Sequence, residues 1–383
     1  MTITDAALLV LFAGAAFGCA FMVLAALVVP AFARRAPHAG GAEPPVTVLL
    51  PLHGDEPGLF DNLAAFCTQD YSGPIQIVCG VADPYDPAIR VVDRLKLAFP
   101  DCQLELVVNP RAAGSNPKVA NLIGMSASIR HELIVQVDSD IRVPSNHLRQ
   151  VVGALQRTGG AVTCPYFGIA TGSPWSELAR LAIDGQFLPG VVVGAGTRLA
   201  QPCLGSTIAL SRTSLAGIGG FEAVADCLAD DHELGQALRK RGERVSLLPL
   251  AVGHICGEES WGELWRHEVR WATTIRIIDP VGYAGWSVTH AFPLALAAFC
   301  LGGGLPALAL AAAALACRTG LIVAVERGYA LPPHAYWLIP VRDLISFAVF
   351  VAGLAVQVVS WKGRRFRVLS GTEAIAQRGS LVP

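Results

Sequence analysis

Asp138-Ser139-Asp140 closes the run Leu133 to Arg142, LIVQVDSDIR, so two carboxylates one residue apart stand where a strand-forming stretch ends. Carboxylate oxygens suit the hard cations Mg²⁺ and Mn²⁺, which keep open positions for phosphate oxygens, so the pair points to chemistry on a nucleotide-diphosphate compound. The same three residues also make an ordinary solvated turn, and other groups must decide between the two readings. Asp83 offers a carboxylate that can accept hydrogen bonds from a uracil N–H or ribose hydroxyls, or simply open the Asp-Pro-Tyr-Asp-Pro turn. Gly114-Ser115-Asn116-Pro117-Lys118 carries a lysine into a helix start, an arrangement that suits a phosphate and equally makes a capped helix. Asp230 and Asp231 stand where another helix begins. Either can cap that helix, and either can take a proton from an acceptor hydroxyl within hydrogen-bond reach. In Trp265-Arg266-His267-Glu268-Val269-Arg270-Trp271 an arginine fork can neutralise a leaving diphosphate, and a tryptophan can stack or sit at a lipid interface.

These residues need a frame to position them. Strand-like runs recur at Val46–Leu50, Ile75–Val81, Leu104–Val108, Leu133–Val137, Ala161–Cys164 and Val245–Leu248, with helical patterns between several of them at Leu59–Thr68, Asp86–Ala98 and Lys118–Ala127. The alternation predicts an α/β domain with an open, mostly parallel, Rossmann-like sheet covered by helices. In such sheets ligands bind beyond the carboxyl ends of the strands, where each of these motifs is expected to lie.

The composition adds a membrane. Of 383 residues 53% are hydrophobic and 15% charged, and the mean hydropathy of +0.49 is too high for a wholly soluble chain. Ala6–Val29 contains no charge and spans about 36 Å as a helix, enough to cross a bilayer. Asp5 before it and Arg34-Arg35 after it argue for an uncleaved anchor whose following domain is cytoplasmic. Apolar stretches return at Ala291–Leu301, Leu305–Val325 and Tyr336–Trp361. Gly302-Gly303-Gly304 and Pro306 either break a helical hairpin or kink one long helix, and Lys362, Arg364, Arg365 and Arg367 favour a cytoplasmic C-terminus, hence two passes there and three in all. The expected division is an anchor at 1–36, a cytoplasmic domain at 45–280 after a linker at Pro37–Pro45, a transmembrane region at 286–361 and a tail at 362–383. The ten cysteines show no Cys-x-x-Cys pair and are read as reduced and structural, and His254 and Cys256 as packing residues. A net charge of −1 without a basic run gives nucleic-acid binding no support.

Taken in order, Pro51-Leu52-His53-Gly54, Asp83 with Asp86-Pro87-Ala88-Ile89, Asn116-Pro117-Lys118, Asp138-Ser139-Asp140-Ile141-Arg142-Val143, Asp231 and Arg270-Trp271 resemble the ceramide glucosyltransferases, family 21 of the glycosyltransferases and a relative of family 2. Within that group, Trp265-Arg266-His267-Glu268 with Arg270-Trp271 and Asp279-Pro280-Val281-Gly282-Tyr283-Ala284-Gly285 look most like the bacterial hopanoid-biosynthesis enzymes. The resemblance implies a GT-A fold and a bacterial inner-membrane enzyme that moves a sugar, with inversion, from a UDP donor to a lipid hydroxyl. The hopanoid likeness implies N-acetylglucosamine and bacteriohopanetetrol; the broader one implies glucose and ceramide. It further implies that Asp83 contacts the uridine, that Asp138 and Asp140 hold a divalent cation and the diphosphate, and that Asp231 is the general base. Lys118, Arg270 and Trp271 fall on the donor side. The chain departs from the family where it has His267 in place of Gln or Arg, and Arg266 is one place out of register.

Two other classes compete. A processive polysaccharide synthase shares the carboxylates but usually carries Gln-x-x-Arg-Trp and enough helices for an export channel. A non-catalytic membrane scaffold would be expected to lack the acids that are present here at 138, 140 and 231. Pro174–Val193, with Trp175, Phe187, Leu188 and three consecutive valines, is expected to touch the membrane or line the acceptor site.

Overall fold

The computed structural model describes residues 2–35, 41–110 and 114–356, and the backbone of three later strands at 358–361, 364–368 and 374–376. Residues 37–40 of the expected linker, Arg111 and Lys362 lie outside the described residues. The chain divides into two compact units. One, the sheet unit, comprises Ala36–Ile169 and Gln201–Gly257; the other, the helical unit, comprises the chain up to Arg35, Ala170–Ala200 and the chain from Glu258 to Gly371. Residues 170–200 and 258–280 group with the apolar helices of the second unit.

Seven strands build the main sheet of the sheet unit: β1 (Val46–Pro51), β2 (Ile75–Val81), β3 (Gln103–Val108), β4 (Leu133–Gln136), β6 (Ala161–Thr163), β8 (Ile208–Ser211) and β9 (Val245–Leu247), in the order β3-β2-β1-β4-β8-β6-β9. Only β8 runs antiparallel to its neighbours, so the sheet is mostly parallel, as the sequence predicts. Every residue of β1 is buried, which is why it reads as an unbroken apolar run rather than an alternating one. A smaller sheet pairs β10 (Val252–Cys256) with β5 (Ile141–Arg142) on one side and β7 (Tyr166–Ala170) on the other.

Helices fill the sheet faces. Val48, Leu50, Ile77 and Val135 pack with Leu63 and Phe66 of α2 (Leu59–Cys67), with Val92 and Leu95 of α3 (Ala88–Ala98) and with Val151 of α5 (His147–Thr158) in one core. Leu49, Val78 and Ile134 pack with Leu122 and Met125 of α4 (Pro117–Met125) and with Leu234 and Leu238 of α9 (Asp230–Lys240) in the other. α4 lies so close to β2 that a Cβ on Gly80 would stand 2.3 Å from the Met125 sulfur. The chain steps outward from β1 to β2 and β3 and then crosses back to β4, so a switch point lies between the carboxyl ends of β1 and β4.

In the helical unit, α1 (Ile3–Ala33) begins at Thr2, whose side chain accepts from the Asp5 amide while Asp5 accepts from the Thr2 amide. It packs against α7 (Leu188–Thr197), α12 (Ala291–Ala298) and α13 (Gly304–Tyr329). Gly302 and Gly304 adopt positive φ of 93° and 57°, and α12 folds back on α13, with Ala295 and Ala311 meeting Ala15. The glycine run therefore makes the hairpin rather than the kink. Four segments are long and apolar enough to cross a membrane: Ile3–Ala33, Pro174–Thr197, Ala291–Tyr329 and Tyr336–Ala355. Two lie in the C-terminal region, and the first of them, Ala291–Tyr329, is folded back on itself at the glycine run. Pro174–Thr197, which contains α6 (Pro174–Ala182), is a fourth beyond the three expected, and its Arg180 and Asp184 are buried and paired within the unit.

Buried charge holds this unit together. Arg318 lies 3.1 Å from Asp343 of α14 (Ile339–Ala355) and donates to the carbonyls of Gly185 and Thr289. Arg342 grips Glu268 with two bonds of 2.6 and 2.7 Å, and His334 stands between Glu326 at 2.7 Å and Asp184 at 2.9 Å. Removing one member of such a pair strands its partner. Arg318→Leu should cost about 3–5 kcal/mol of stability, read from denaturant unfolding in detergent. Adding Asp343→Leu should recover much of the loss, and a double variant no better than the single would show that the pairing is not what Arg318 supplies.

Candidate active site

Four conspicuous side chains meet at the carboxyl edge of the sheet unit. The Asp138-Ser139-Asp140 turn leaves β4 and is pinned at its middle: Asn62 Nδ2 donates to the Ser139 carbonyl at 3.0 Å, and the Ser139 hydroxyl donates to Glu56. Lys118 lies in the first turn of α4, which Asn116 caps by accepting from the amides of Lys118 and Val119. The Asn116 amide group also donates to the Cys227 carbonyl at 2.8 Å, so the same residue ties the start of α4 to the loop before α9. Lys118 Nζ then stands 2.7 Å from Asp138 Oδ1 and 3.1 Å from Asp230 Oδ2. Asp231 accepts from the Gly205 amide at 2.9 Å on one oxygen and from the His232 amide at 2.7 Å on the other.

Burial pushes the Asp138 carboxyl up to about 7, helped by the charges of Asp140 and Asp230 and opposed by Lys118. Burial also works against the Lys118 ammonium, but Asp138, Asp230 and Asp231 outweigh it and hold its pKa above the usual lysine range. Asp231 is raised by burial and by Asp230, against Lys118 and its two amide donors.

The remaining sheet-unit residues occupy the neighbouring strand ends. Asp83, exposed after β2, accepts from the Tyr85 amide at 2.8 Å. Asp86 is the more buried acid of that turn, accepting from the amides of Gly54 and Ala88 at 2.9 Å each, so it ties the loop after β1 to the start of α3. Asp140 faces His254 across β5 and β10, with Oδ2 3.6 Å from Nδ1.

In the helical unit, α10 (Trp261–Ile278) carries Arg266, His267, Arg270 and Trp271. His267 Nδ1 lies 2.6 Å from Glu258, and its ring meets Trp271 edge-on at 4.5 Å. Trp271 also meets Phe187 at 6.3 Å, and Trp175, Trp261 and Trp265 form an aromatic row. Arg266 is exposed, whereas His267 and Arg270 are half-buried.

Gly205 is a site residue that the sequence does not announce. A Cβ there would stand 2.6 Å from Asp138 Oδ2 and 2.9 Å from Lys118 Nζ, so only glycine leaves the carboxylate edge open. Its one signal is its place in the small-residue run Gly205-Ser206-Thr207 before β8. Among the described residues no three His, Cys, Asp or Glu side chains already converge as a metal site. The donor chemistry nonetheless fits a hard divalent cation: two carboxylates on a pinned turn, beside a space that a Cβ would fill. Asp138 and Asp140 would hold it.

Residues 9–374 match the family model described as Glycosyl transferase family 21. Ceramide glucosyltransferase 1 of Caenorhabditis elegans is 25% identical over 215 residues, covering 53% of this chain and 44% of that protein. The ceramide glucosyltransferase of Gibberella zeae is 30% identical over 176 residues, covering 40% and 33%. The matched stretches thus span less than half the length of these relatives. A solved mannosyltransferase from Pyrobaculum calidifontis, in complex with GDP-Man and Mn²⁺, covers 92% of this chain and 98% of its own at 20% identity and a TM-score of 0.52. The shared fold is that of the GT-A glycosyltransferases, with its mostly parallel central sheet.

The charge arrangement has a consequence for stability. A carboxyl whose folded pKa is raised binds its proton more tightly in the fold, so its contribution is full at low pH and is lost as pH rises from the ordinary carboxylate range toward about 7. Lys118 limits that loss for Asp138. In Lys118→Met the fall in unfolding free energy between pH 5 and pH 8 should exceed that of the unmodified protein by about 1–3 kcal/mol, about one to two pKa units of extra shift. Parallel pH curves for the two proteins would show that the ammonium does not compensate these acids.

Proposed function

The chain belongs to glycosyl transferase family 21, and on that premise we propose that it transfers a sugar, with inversion, from a UDP donor to a lipid hydroxyl at the cytoplasmic face of a bacterial inner membrane. The observation that carries the reading is the cluster of Lys118, Asp138, Asp230 and Asp231 at the carboxyl ends of the strands. In this reading Asp83 contacts the uridine. Asp138 and Asp140 hold a divalent cation, Mg²⁺ or Mn²⁺, which when bound supplies charge neutralisation to the diphosphate. Lys118, already poised between two carboxylates, adds a point positive charge to the same group. Arg270 and Trp271 serve the departing diphosphate end of the donor.

Asp231 is the proposed base. Each of its oxygens accepts one amide N–H and keeps a lone pair for a further donor, and its raised pKa makes it a better proton acceptor than an ordinary aspartate. The acceptor oxygen attacks the anomeric carbon, its proton passes to Asp231, and the bond from that carbon to the phosphate oxygen breaks with its electron pair leaving on UDP. No side-chain nucleophile is needed.

Four apolar segments support a membrane location, and Arg34-Arg35 after α1 support the cytoplasmic orientation. The resemblance through Trp265-Arg266-His267-Glu268 and Asp279–Gly285 favours N-acetylglucosamine transfer to bacteriohopanetetrol. The names of the relatives from Caenorhabditis elegans and Gibberella zeae favour the second reading, glucose transfer to ceramide.

Membranes carrying the protein, supplied with each lipid and either UDP-N-acetylglucosamine or UDP-glucose, separate the two by product mass. A hexosamine gain on the hopanoid is expected, a hexose gain on ceramide would install the second reading, and no product from any pair with Mg²⁺ or Mn²⁺ present would remove both. With the productive pair, Asp231→Asn should lower kcat by about 10² or more at nearly unchanged donor binding; near-normal turnover would take the base role from Asp231.

A further inference from the structure

We propose that Cys67 and Cys102 form a reversible dithiol site that is oxidised by a low-molecular-weight disulfide of the glutathione class. The sequence reads both as reduced structural cysteines, since they stand 35 residues apart and outside any Cys-x-x-Cys spacing. The fold brings them together. Cys67 is the last residue of α2 and Cys102 lies immediately before β3, so the segment between them carries β2, the Asp83 turn and α3. Their Sγ atoms stand 3.0 Å apart, and a disulfide bond of about 2.0 Å needs only about 1 Å of closure. Both positions are tied to the frame. The Thr68 hydroxyl donates to the Ala64 carbonyl at 3.2 Å, which fixes the end of α2. The Cys102 amide donates to the Phe99 carbonyl at 3.1 Å, and the Cys102 carbonyl accepts from the Leu104 amide at 2.8 Å. Both cysteines are half-buried, so a small reagent can reach them from one side while the core holds them on the other.

The surroundings divide the roles between the two sulfurs. The hydrogen bond between them holds the Cys102 thiol below the usual thiol range, against the effect of burial. The same bond, followed by burial, raises Cys67. Cys79, fully buried on β2, is pushed up to about 12, chiefly by burial, so it stays a thiol and takes no part. Cys102 is therefore the attacking group. Its thiolate bonds to one sulfur of the reagent disulfide and expels the other half as a thiolate, leaving a mixed disulfide on Cys102. Cys67 then gives up its proton, attacks the Cys102 sulfur and expels the second thiolate. The protein loses two electrons and two protons, and the reagent disulfide gains them as two thiols.

The test equilibrates the full-length protein in detergent with glutathione and glutathione disulfide at a series of ratios, quenches with an alkylating reagent and maps the linked peptides by mass spectrometry. A Cys67–Cys102 link should form as the disulfide fraction rises and reopen on return to excess glutathione. In brief alkylation of the reduced protein, Cys102 should react about tenfold faster than Cys67, as its greater thiolate fraction requires. In Cys67→Ser the glutathione should stay attached to Cys102, because the thiol that would expel it is missing, whereas in Cys102→Ser no adduct should accumulate on Cys67. Absence of the Cys67–Cys102 link at oxidising ratios, a link that excess glutathione fails to reopen, or Cys102 linked to Cys79 instead would overturn the proposal. Mapping of the unmodified chain is decisive by itself, so a variant that fails to fold leaves the result standing.

Discussion

A lysine ammonium held between two aspartates is the contact on which the candidate site depends. Lys118 joins Asp138, at the end of a central strand, to Asp230, at the start of a helix almost a hundred residues further along the chain. Left alone at the edge of the sheet, Asp138, Asp140, Asp230 and Asp231 would repel one another, and burial would drive Asp138 and Asp231 toward their protonated forms. The single ammonium lets them remain close. Their proximity matters because a donor site needs negative charge to hold a cation and a nearby base that has not been neutralised. The geometry around the lysine follows from that need: Asn116 sets the start of α4, Gly205 leaves room beside Asp138, and the Gly205 amide orients Asp231.

Sheet topology supplies the rest of the frame. Because the chain crosses from β3 back to β4, the loops after β1, β2 and β4 open on one edge of the sheet, and each carries polar residues whose backbone is tied down: Asp86 accepts from Gly54, Asn62 donates to Ser139, and Asp83 accepts from Tyr85. In the helical unit the corresponding work is done by charge pairs set among apolar helices. Arg318 with Asp343 and Arg342 with Glu268 bring helices together where side chains of alanine and glycine offer little specific packing.

The sheet was legible because its central parallel strands β1, β2 and β4 are short, largely apolar and buried runs, and the carboxylates were legible because acids at strand ends are chemically conspicuous. What escaped has a common physical cause, long-range pairing. The strand Ile208–Ser211 is four residues long and unremarkable as a pattern, yet it enters the sheet antiparallel between β4 and β6. Lys118 reads equally well as a solvated helix residue until the fold places Asp138 and Asp230 against it. Gly205 has no signal beyond its small size, and Asp86, though it opens the Asp86-Pro87-Ala88-Ile89 motif, shows nothing in the sequence of its tie to the Gly54 amide. Pro174–Thr197 was legible as a stretch that touches the membrane or lines the acceptor site but not as a helix long and apolar enough to cross: Glu177, Arg180 and Asp184 dilute its hydropathy, and only their pairing inside the unit shows how they are accommodated in so apolar a helix.

The most direct test of the central contact is hydrogen–deuterium exchange of the full-length protein in detergent, comparing the unmodified chain with Lys118→Met. If the ammonium organises the site, amides at 204–206 and 228–233 should exchange faster in the variant, by about tenfold for each 1.4 kcal/mol of local stability lost, while β1 and β2 stay protected. Unchanged protection in both segments would contradict the account and leave the lysine a bystander to a site held together by other means.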